Sequence, residues 1–222
     1  MPGRPTSPPE LPQDDPVGVG PHPVPWPEDP RFDPELLAGG DRRNVVDRYR
    51  YWSVDAIRDD LDQRRHPFHV AIENWQHDMN IGTVVRSANA FLAAEVHIVG
   101  RRRWNRRGAM VTDRYQHVHH HATVDDLVGW AAAADLPLVG IDNLPGSTPL
   151  PSSPLPRACV LVFGQEGPGL SEPMRAVLSQ CRSIPQYGST RSINAGVAAG
   201  IAMYAWLTEH GPGTPGPGPG SR

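Results

Sequence analysis

The sequence predicts an α/β domain built on a parallel sheet flanked by helices. Strand-like and helical patterns alternate between about residues 67 and 208, the order that gives parallel strands joined by helical crossovers. No internal repeat interrupts this alternation. A glycine-rich turn at residues 164–169 follows a late strand, whereas a dinucleotide-binding domain carries such a turn after its first strand. The pattern therefore predicts a parallel sheet with an unusual position for its glycine-rich turn.

The strands are predicted from short apolar runs. Residues 117–122, which hold four histidines, are interpreted as either a strand or a loop. The clearer strand predictions cover residues 68–73, 95–100, 137–142, 158–164 and a brief run at 182–185.

The helices are predicted from apolar spacing and from capping residues. Val54, Ile57 and Leu61 recur at helical spacing in the first helix. Asn80 is expected to cap the second, and residues 123–126 resemble a capping box that opens the third. The predicted helices cover residues 53–65, 81–91, 123–134, 172–179 and 193–208.

The 222 residues exceed what the main domain needs, and the excess lies at both ends. Residues 1–35 are rich in proline, and residues 211–222 are almost entirely glycine and proline. Such segments bury too little apolar surface to offset their conformational entropy, so both are predicted to be disordered. Residues 36–66 are then a helical N-terminal extension, and residues 67–210 form the main domain.

The net charge of −3 does not by itself indicate nucleic-acid binding, so the distribution of charge matters more. A cationic block, Arg-Arg-Arg-Trp-Asn-Arg-Arg, occupies residues 101–107 in the middle of the main domain. Every one of the 21 basic residues is arginine. The absence of lysine excludes a catalytic lysine or a lysine Schiff base.

Cysteine content and hydropathy indicate a cytoplasmic protein. Cys159 and Cys181 are too few for a disulfide framework and are expected to be small core residues. The N-terminus lacks the apolar core of a signal peptide, and the apolar run at residues 195–207 is too short to span a bilayer. We therefore expect no membrane association.

Three segments carry a more specific pattern. The first is Glu73-Asn74 followed by Asn-Ile-Gly-Thr-Val-Val-Arg at residues 80–86; the second is Phe-Gly-Gln-Glu-Gly-Pro-Gly-Leu-Ser at residues 163–171. The third runs from Ile-Pro-Gln at residues 184–186 to Ser-Ile-Asn at residues 192–194. In order and approximate spacing they resemble the three motifs of the SpoU/TrmH family of RNA ribose methyltransferases.

The resemblance implies a fold, a cofactor and an assembly. The expected fold is a SPOUT-type parallel sheet flanked by helices, with a C-terminal trefoil knot, which is a rare exception to unknotted topology. S-adenosyl-L-methionine would bind in the knot, and the protein would be a homodimer. Carried onto this sequence, the expected cofactor-binding residues are Leu144, Gly164, Gln165, Glu166, Gly167, Ile184, Gln186, Ser192 and Ile193.

The implied reaction is attack of an RNA ribose 2′-oxygen on the methyl carbon of a sulfonium. The family's catalytic arginine maps to Arg86, with Asn80, Glu166, Ser192 and Asn194 as the other candidate catalytic residues. A guanidinium stays protonated, so a phosphate clamp that stabilises the alkoxide is physically preferable to a general base. The RNA would be a tRNA or an rRNA, and the sequence does not distinguish these.

The arginine block is the second candidate RNA contact. Arginines bind phosphate, and Trp104 is available to stack on a base. The alternative is a solvated loop whose charge is incidental. The predicted RNA-binding residues are Arg86, Arg102, Arg103, Trp104, Arg106 and Arg107.

The four histidines of residues 117–121 suggest a metal cluster at first sight. Alternation places His117, His119 and His121 on one face of an extended strand, but no cysteine or acidic residue adjoins them in the sequence. We therefore predict that the protein binds no metal.

Two alternative functions remain open. The family's third motif usually has a second serine where this chain has Gly196. That departure is compatible with a non-catalytic RNA-binding or assembly protein that retains the fold. A nucleotide- or dinucleotide-binding enzyme of ordinary topology would instead need an early phosphate loop, which the sequence lacks.

Overall fold

The computed structural model describes residues 18–76 and 80–211. The chain divides into two compact units, with the boundary between Asp60 and Leu61. The disorder predicted for residues 1–17 and 212–222 lies outside the described residues. The boundary falls inside a helix, α2 (Val54–Asp62), and not between residues 66 and 67, where the sequence suggested that the main domain begins.

Asp41 organises the first unit. Its carboxylate accepts hydrogen bonds from the backbone and guanidinium of Arg43 and from the backbone N–H of Tyr51, all at 2.8–3.0 Å. Burial raises the pKa of Asp41, but these hydrogen bonds and the charge of Arg43 outweigh burial and hold the pKa at about 2.

The disorder predicted for residues 18–35 is contradicted by backbone hydrogen bonds in this segment. Val19 and Asp41 exchange two backbone bonds of 2.9 Å, and the N–H of His22 donates to the carbonyl of Leu37. Residues 18–35 are therefore held in place, because the non-proline residues of a proline-rich segment can still pair. Helix α1 (Pro34–Gly39) follows, with Asp33 as its N-cap.

The second unit contains a seven-stranded parallel sheet in the order β3-β2-β1-β6-β4-β7-β5. The predicted strands are confirmed, and residues 117–122 do contain one. The brief strand predicted at 182–185 begins two residues earlier, and the short edge strand β5 was not predicted. The strands are β1 (Phe68–Asn74), β2 (Val96–Gly100), β3 (Val118–His121), β4 (Leu138–Ile141), β5 (Thr148–Pro149), β6 (Cys159–Phe163) and β7 (Gln180–Ser183).

The predicted helices of this unit are also found. The capping box is present, since the side chains of Thr123 and Asp126 bond each other's backbone N–H. Asn80 is the N-cap residue of its helix, as predicted, but its side chain makes no capping hydrogen bond, and the last helix begins two residues later than expected. The helices are α3 (Ile81–Ala90), α4 (Val124–Ala133), α5 (Glu172–Val177) and α6 (Ala195–His210).

Helices cover both faces of the sheet. On one face, α3 and α6 pack on strand residues such as Phe68 and Phe163. On the other, α4 and α5 pack on alternate strand residues such as Val162. Cys159 is a buried free thiol whose pKa burial raises to about 12, as expected for a core residue. Within the described residues, no helix combines the length and apolar character needed to cross a membrane.

The parallel arrangement brings the predicted motifs to one edge. Strands β1, β4 and β6 are neighbours, so the loops that leave their carboxyl ends share the same side of the sheet. The turn after β6 is bonded to the end of β1 through Glu73. Its carboxylate accepts hydrogen bonds from the hydroxyl of Ser171 at 2.6 Å, the backbone N–H of Ser171 at 2.7 Å and the indole N–H of Trp75 at 2.8 Å.

We predict that Glu73→Gln lowers the free energy of unfolding by about 2 kcal/mol. Glu73 is 1% exposed, and the amide NH₂ of glutamine would replace one of two acceptor oxygens and face a donor. Urea denaturation measures the change. Glu172→Gln is the matched control because Glu172 is exposed on α5, and its effect should stay within about 0.5 kcal/mol. Equal stabilities for the two variants would contradict a linking role for Glu73.

Candidate active site

A cavity of about 340 Å³ opens at the carboxyl ends of β4 and β6. It is bordered by the loop after β4, the glycine-rich turn after β6 and the segment between β7 and α6. Each residue predicted to bind the cofactor lines this cavity: Leu144, Gly164, Gln165, Glu166, Gly167, Ile184, Gln186, Ser192 and Ile193.

The glycine-rich turn forms the tightest wall of the cavity. Gln165 and Gly169 exchange two backbone hydrogen bonds of 3.0 and 3.1 Å across it. Gly167 and Gly169 have positive φ angles of 95° and 70°, which side chains disfavour. A Cβ on Gly164 would lie 2.1 Å from the carbonyl carbon of Gly169. The turn therefore requires glycine for conformation and for close backbone approach.

Two residues outside the predicted set hold this turn in place. An oxygen of Asp142, at the end of β4, accepts a hydrogen bond of 3.0 Å from the backbone N–H of Leu170. The guanidinium of Arg175 donates to the carbonyl of Leu170 at 2.7 Å. Asp142 ends the strand predicted at residues 137–142, whereas no sequence signal indicated Arg175.

Gln165 contacts the first motif as well as the cavity. Its side-chain oxygen accepts hydrogen bonds from the backbone N–H groups of Trp75 and Gln76, at 3.2 and 2.7 Å. That oxygen is engaged by the protein and is not free for a ligand. Gln165 therefore ties the end of β1 to the glycine-rich turn, a positioning role that the sequence did not indicate.

The side chain of Gln186 differs from that of Gln165 in its hydrogen bonding. Its side-chain oxygen is buried and has no hydrogen-bond partner among the residues that the structure describes. A buried acceptor without a partner is costly. Because Gln186 lines the cavity, its oxygen suits a hydrogen-bond donor on a bound molecule.

The three motif segments meet through side chains of Asn80, Glu166 and Asn194. The amide of Asn80 donates to one oxygen of Glu166 at 2.6 Å. The amide of Asn194 donates to the side-chain oxygen of Asn80 at 2.8 Å and lies 3.4 Å from the other oxygen of Glu166. This network explains why the side chain of Asn80 makes no capping hydrogen bond on α3. Its amide group instead bonds side chains of the other two motif segments.

Asn194 also caps α6. Its side-chain oxygen accepts hydrogen bonds from the backbone N–H groups of Gly196 and Val197, at 2.9 and 3.2 Å. One side chain therefore sets the start of α6 and joins the network of Asn80 and Glu166. Ser192 is exposed on the cavity lining just before this cap.

Arg86 lies apart from the cavity lining. It is on the exposed face of α3, and among the described residues its guanidinium makes no hydrogen bond or ion pair. The structure thus brings together Asn80, Glu166, Ser192 and Asn194 but leaves Arg86 facing solvent.

The departure at Gly196 has a packing explanation. A Cβ at this position would lie 2.9 Å from the methyl carbon of Thr83 and 3.1 Å from its Cβ. Thr83 belongs to the first motif segment, so its side chain fills the space that a serine at position 196 would need. The missing serine is therefore no sign of a collapsed cavity.

The side chain of Asn74 holds the backbone at the start of the arginine block. The amide of Asn74 donates to the carbonyls of Arg101 and Arg103, at 2.7 and 3.0 Å. Arg102, Arg103, Arg106 and Arg107 are exposed, as a phosphate contact requires.

Trp104 is less accessible than predicted. It is half-buried against the hydrophobic core, and the guanidinium of Arg106 lies 5.6 Å from the centre of its ring. Arg106 is also 3.4 Å from the carboxylate of Asp113. Core packing and the cation–π contact therefore compete with base stacking on this ring.

Comparison with known proteins identifies relatives of the folded domain. An uncharacterized tRNA/rRNA methyltransferase of Mycolicibacterium smegmatis is 35% identical over 141 residues, which are 60% of this chain and 44% of the relative. A protein of the same description from Mycobacterium avium is 34% identical over 149 residues, covering 60% and 45%. The chain thus spans less than half the length of these curated relatives.

Solved structures share the fold. The SpoU methyltransferase AviRb of Streptomyces viridochromogenes, solved in complex with AdoMet, aligns with a TM-score of 0.59 at 24% identity, covering 67% of this chain and 60% of AviRb. The TrmH/SpoU tRNA modifying enzyme of A. aeolicus aligns with a TM-score of 0.60 at 20% identity, covering 68% and 79%. The family model described as SpoU rRNA Methylase matches residues 67–204, and the chain therefore belongs to the SpoU rRNA methylase family.

Proposed function

We propose that this protein transfers a methyl group from S-adenosyl-L-methionine to a ribose 2′-hydroxyl of tRNA or rRNA. The observation that carries the proposal is the network of Asn80, Glu166 and Asn194, which joins one side chain from each motif segment beside the cavity. The family membership and the names of the curated relatives support an RNA substrate.

The cavity suits the cofactor. Backbone groups at Gly164, Ile184 and Ile193 would hold the adenine, and the close packing at Gly164 brings main chain to the cavity wall. The unpartnered oxygen of Gln186 would accept a hydrogen bond from an amino group. When bound, the cofactor supplies a methyl group on a sulfonium, which is already a good leaving group. The AdoMet complex of AviRb supports this assignment by analogy of fold.

The protein's contribution is then positioning and charge stabilisation. The bound cofactor would supply the methyl group and leave as a thioether, and the proton of the 2′-hydroxyl would pass to the adjacent RNA phosphate or to water. Asn80, Glu166 and Asn194 shape the site, and Ser192 offers a hydroxyl on its lining. Arg86, exposed on α3, clamps the RNA phosphate and stabilises the developing alkoxide.

A trefoil knot and a homodimer belong to the same proposal. Strand β6 lies between β1 and β4, and chain segments before and after it border one cavity, an arrangement compatible with a threaded C-terminal part. Helix α6 exposes Val197, Ile201 and Tyr204 at helical spacing. These apolar side chains support a dimer contact on α6.

We predict methyl transfer from tritiated S-adenosyl-L-methionine onto total RNA, with the product identified as a 2′-O-methylated nucleoside by mass spectrometry.

We predict that Gly164→Ala weakens the binding of S-adenosyl-L-methionine by about tenfold or more, equivalent to about 1.4 kcal/mol, because the added Cβ collides with the backbone of Gly169. Gly129→Ala is the matched control, since a Cβ there meets nothing within 4 Å.

Calorimetry with S-adenosyl-L-methionine separates this function from the non-catalytic alternative. A chain that binds RNA but neither binds nor consumes the cofactor would contradict the proposed reaction. Methylation of a base instead of a ribose would contradict the 2′-hydroxyl as acceptor while leaving the cofactor assignment intact.

We predict that Arg86→Ala lowers kcat/KM by about 10²–10³-fold while the affinity for S-adenosyl-L-methionine is unchanged. The loss follows from removal of the guanidinium from the phosphate and alkoxide. Arg86→Lys should recover only part of the activity because an ammonium lacks the bidentate fork. Arg157→Ala, a change at another exposed arginine, serves as the control. Near-normal transfer by Arg86→Ala would overturn this role.

We predict that replacing Arg102, Arg103, Arg106 and Arg107 by alanine weakens RNA binding and flattens its salt dependence. Each lost phosphate contact should reduce the slope of log affinity against log salt by about 0.7–0.9. Filter binding at several salt concentrations measures this slope. An unchanged slope would remove these arginines from the RNA interface.

A further inference from the structure

A group of imidazoles lies on the sheet face that α4 covers. His69 is on β1, His97 on β2, and His119 and His121 on β3, and the parallel register aligns His97 with His119. The indole of Trp130 on α4 packs on this group, with its ring centre 3.9 Å from that of His97. The group lies in the amino-terminal half of β1, whereas the cavity lies at the carboxyl ends of the strands.

Three ligand atoms converge within this group. Nδ1 of His69 is 3.3 Å from Nε2 of His97. One carboxylate oxygen of Glu95, in the turn before β2, is 3.6 Å from each of these two nitrogens. Two imidazole nitrogens and a carboxylate oxygen are a common ligand set for zinc and similar metals.

The distances fit a metal ion. Ligands placed tetrahedrally about a Zn²⁺ ion at about 2.0–2.2 Å lie roughly 3.3–3.6 Å from one another, and the three separations here are 3.3, 3.6 and 3.6 Å. Hydrogen bonding accounts for only part of the arrangement. The single N–H of a neutral His69 cannot serve both Nε2 of His97 and the carboxylate of Glu95 if Nδ1 is the atom that faces both.

The surrounding groups orient the ligands. Nδ1 of His97 is 3.0 Å from Nε2 of His121, so His97 can donate its remaining N–H there while Nε2 faces the metal. The second oxygen of Glu95 is 3.4 Å from Nε2 of His119.

The proposed ligands differ in their exposure to solvent. The side chain of His97 is fully buried, whereas those of His69 and Glu95 are 14% and 30% exposed. Solvent can therefore reach a fourth coordination position from the side of Glu95. The other histidines of residues 117–121 are engaged elsewhere, since His117 bonds Asp62 and His120 bonds the carbonyl of Gly100.

We propose that His69, His97 and Glu95 bind one divalent transition-metal ion of the zinc class, with a water molecule as fourth ligand. The ion joins β1 to β2, and His121 and His119 orient its ligands. The sequence argued against a metal because no acidic residue adjoins the histidine run. The sheet supplies that residue, since β2 begins next to Glu95 and pairs with both β1 and β3.

The test uses the untagged full-length chain, stripped with a chelator and titrated with Zn²⁺ by calorimetry, with Co²⁺ absorption as a probe of geometry. We expect one ion per chain, a Co²⁺ visible band typical of a tetrahedral site, and a rise in Tm with Zn²⁺. His69→Gln and Glu95→Gln should each weaken binding by about 100-fold or more, and His121→Asn by about 10–100-fold.

His120→Gln is the matched control, because His120 lies on the same short strand but faces the opposite side of the sheet. Its Zn²⁺ affinity and Tm shift should equal those of the unmodified chain. Folding of each variant is checked by its metal-free Tm. Absence of stoichiometric binding by the unmodified chain, or binding that survives in His69→Gln and Glu95→Gln, would overturn the proposal. Neither result depends on methyl transfer.

Discussion

The carboxylate of Glu73 is the contact on which the arrangement of the candidate site depends. It is buried at the end of β1 and accepts hydrogen bonds from the backbone and hydroxyl of Ser171, two residues after the glycine-rich turn. A second link runs from Gln165 in the same turn to the backbone after β1. Together they fasten the end of β1 to the glycine-rich turn that borders the cavity.

The parallel sheet makes this fastening possible. With β6 inserted between β1 and β4, the loops after these strands emerge side by side, although long stretches of chain separate them. The loop after β4 holds the turn through Asp142, and the segment before α6 reaches it through Asn194. The cavity that results is lined by the glycine-rich turn and by apolar and polar side chains from the loop after β4 and the segment before α6.

Much of the fold could be predicted because each element carries its own local signal. Apolar runs marked the main strands, and the capping box at Thr123 marked the start of α4. Predictions failed where a residue's partner was distant in sequence. Asn80 is the N-cap residue of α3, but its side chain bonds Glu166 and Asn194, and residues 18–35 looked disordered but pair with residues such as Asp41. The short edge strand β5 has too little local pattern to predict.

The sequence by itself determined the family, the order of the elements and the motif residues that line the cavity, because those properties lie in contiguous segments of the chain. Only the tertiary structure decided what the motif side chains bond to: Glu73 to Ser171, Gln165 to the end of β1, and Thr83 against Gly196. It also decided that Glu95 stands beside His69 and His97. The physical reason is the same in each case. Strand order and register decide which residues become hydrogen-bond and packing partners. No single segment of the sequence predicts the strand order or the register.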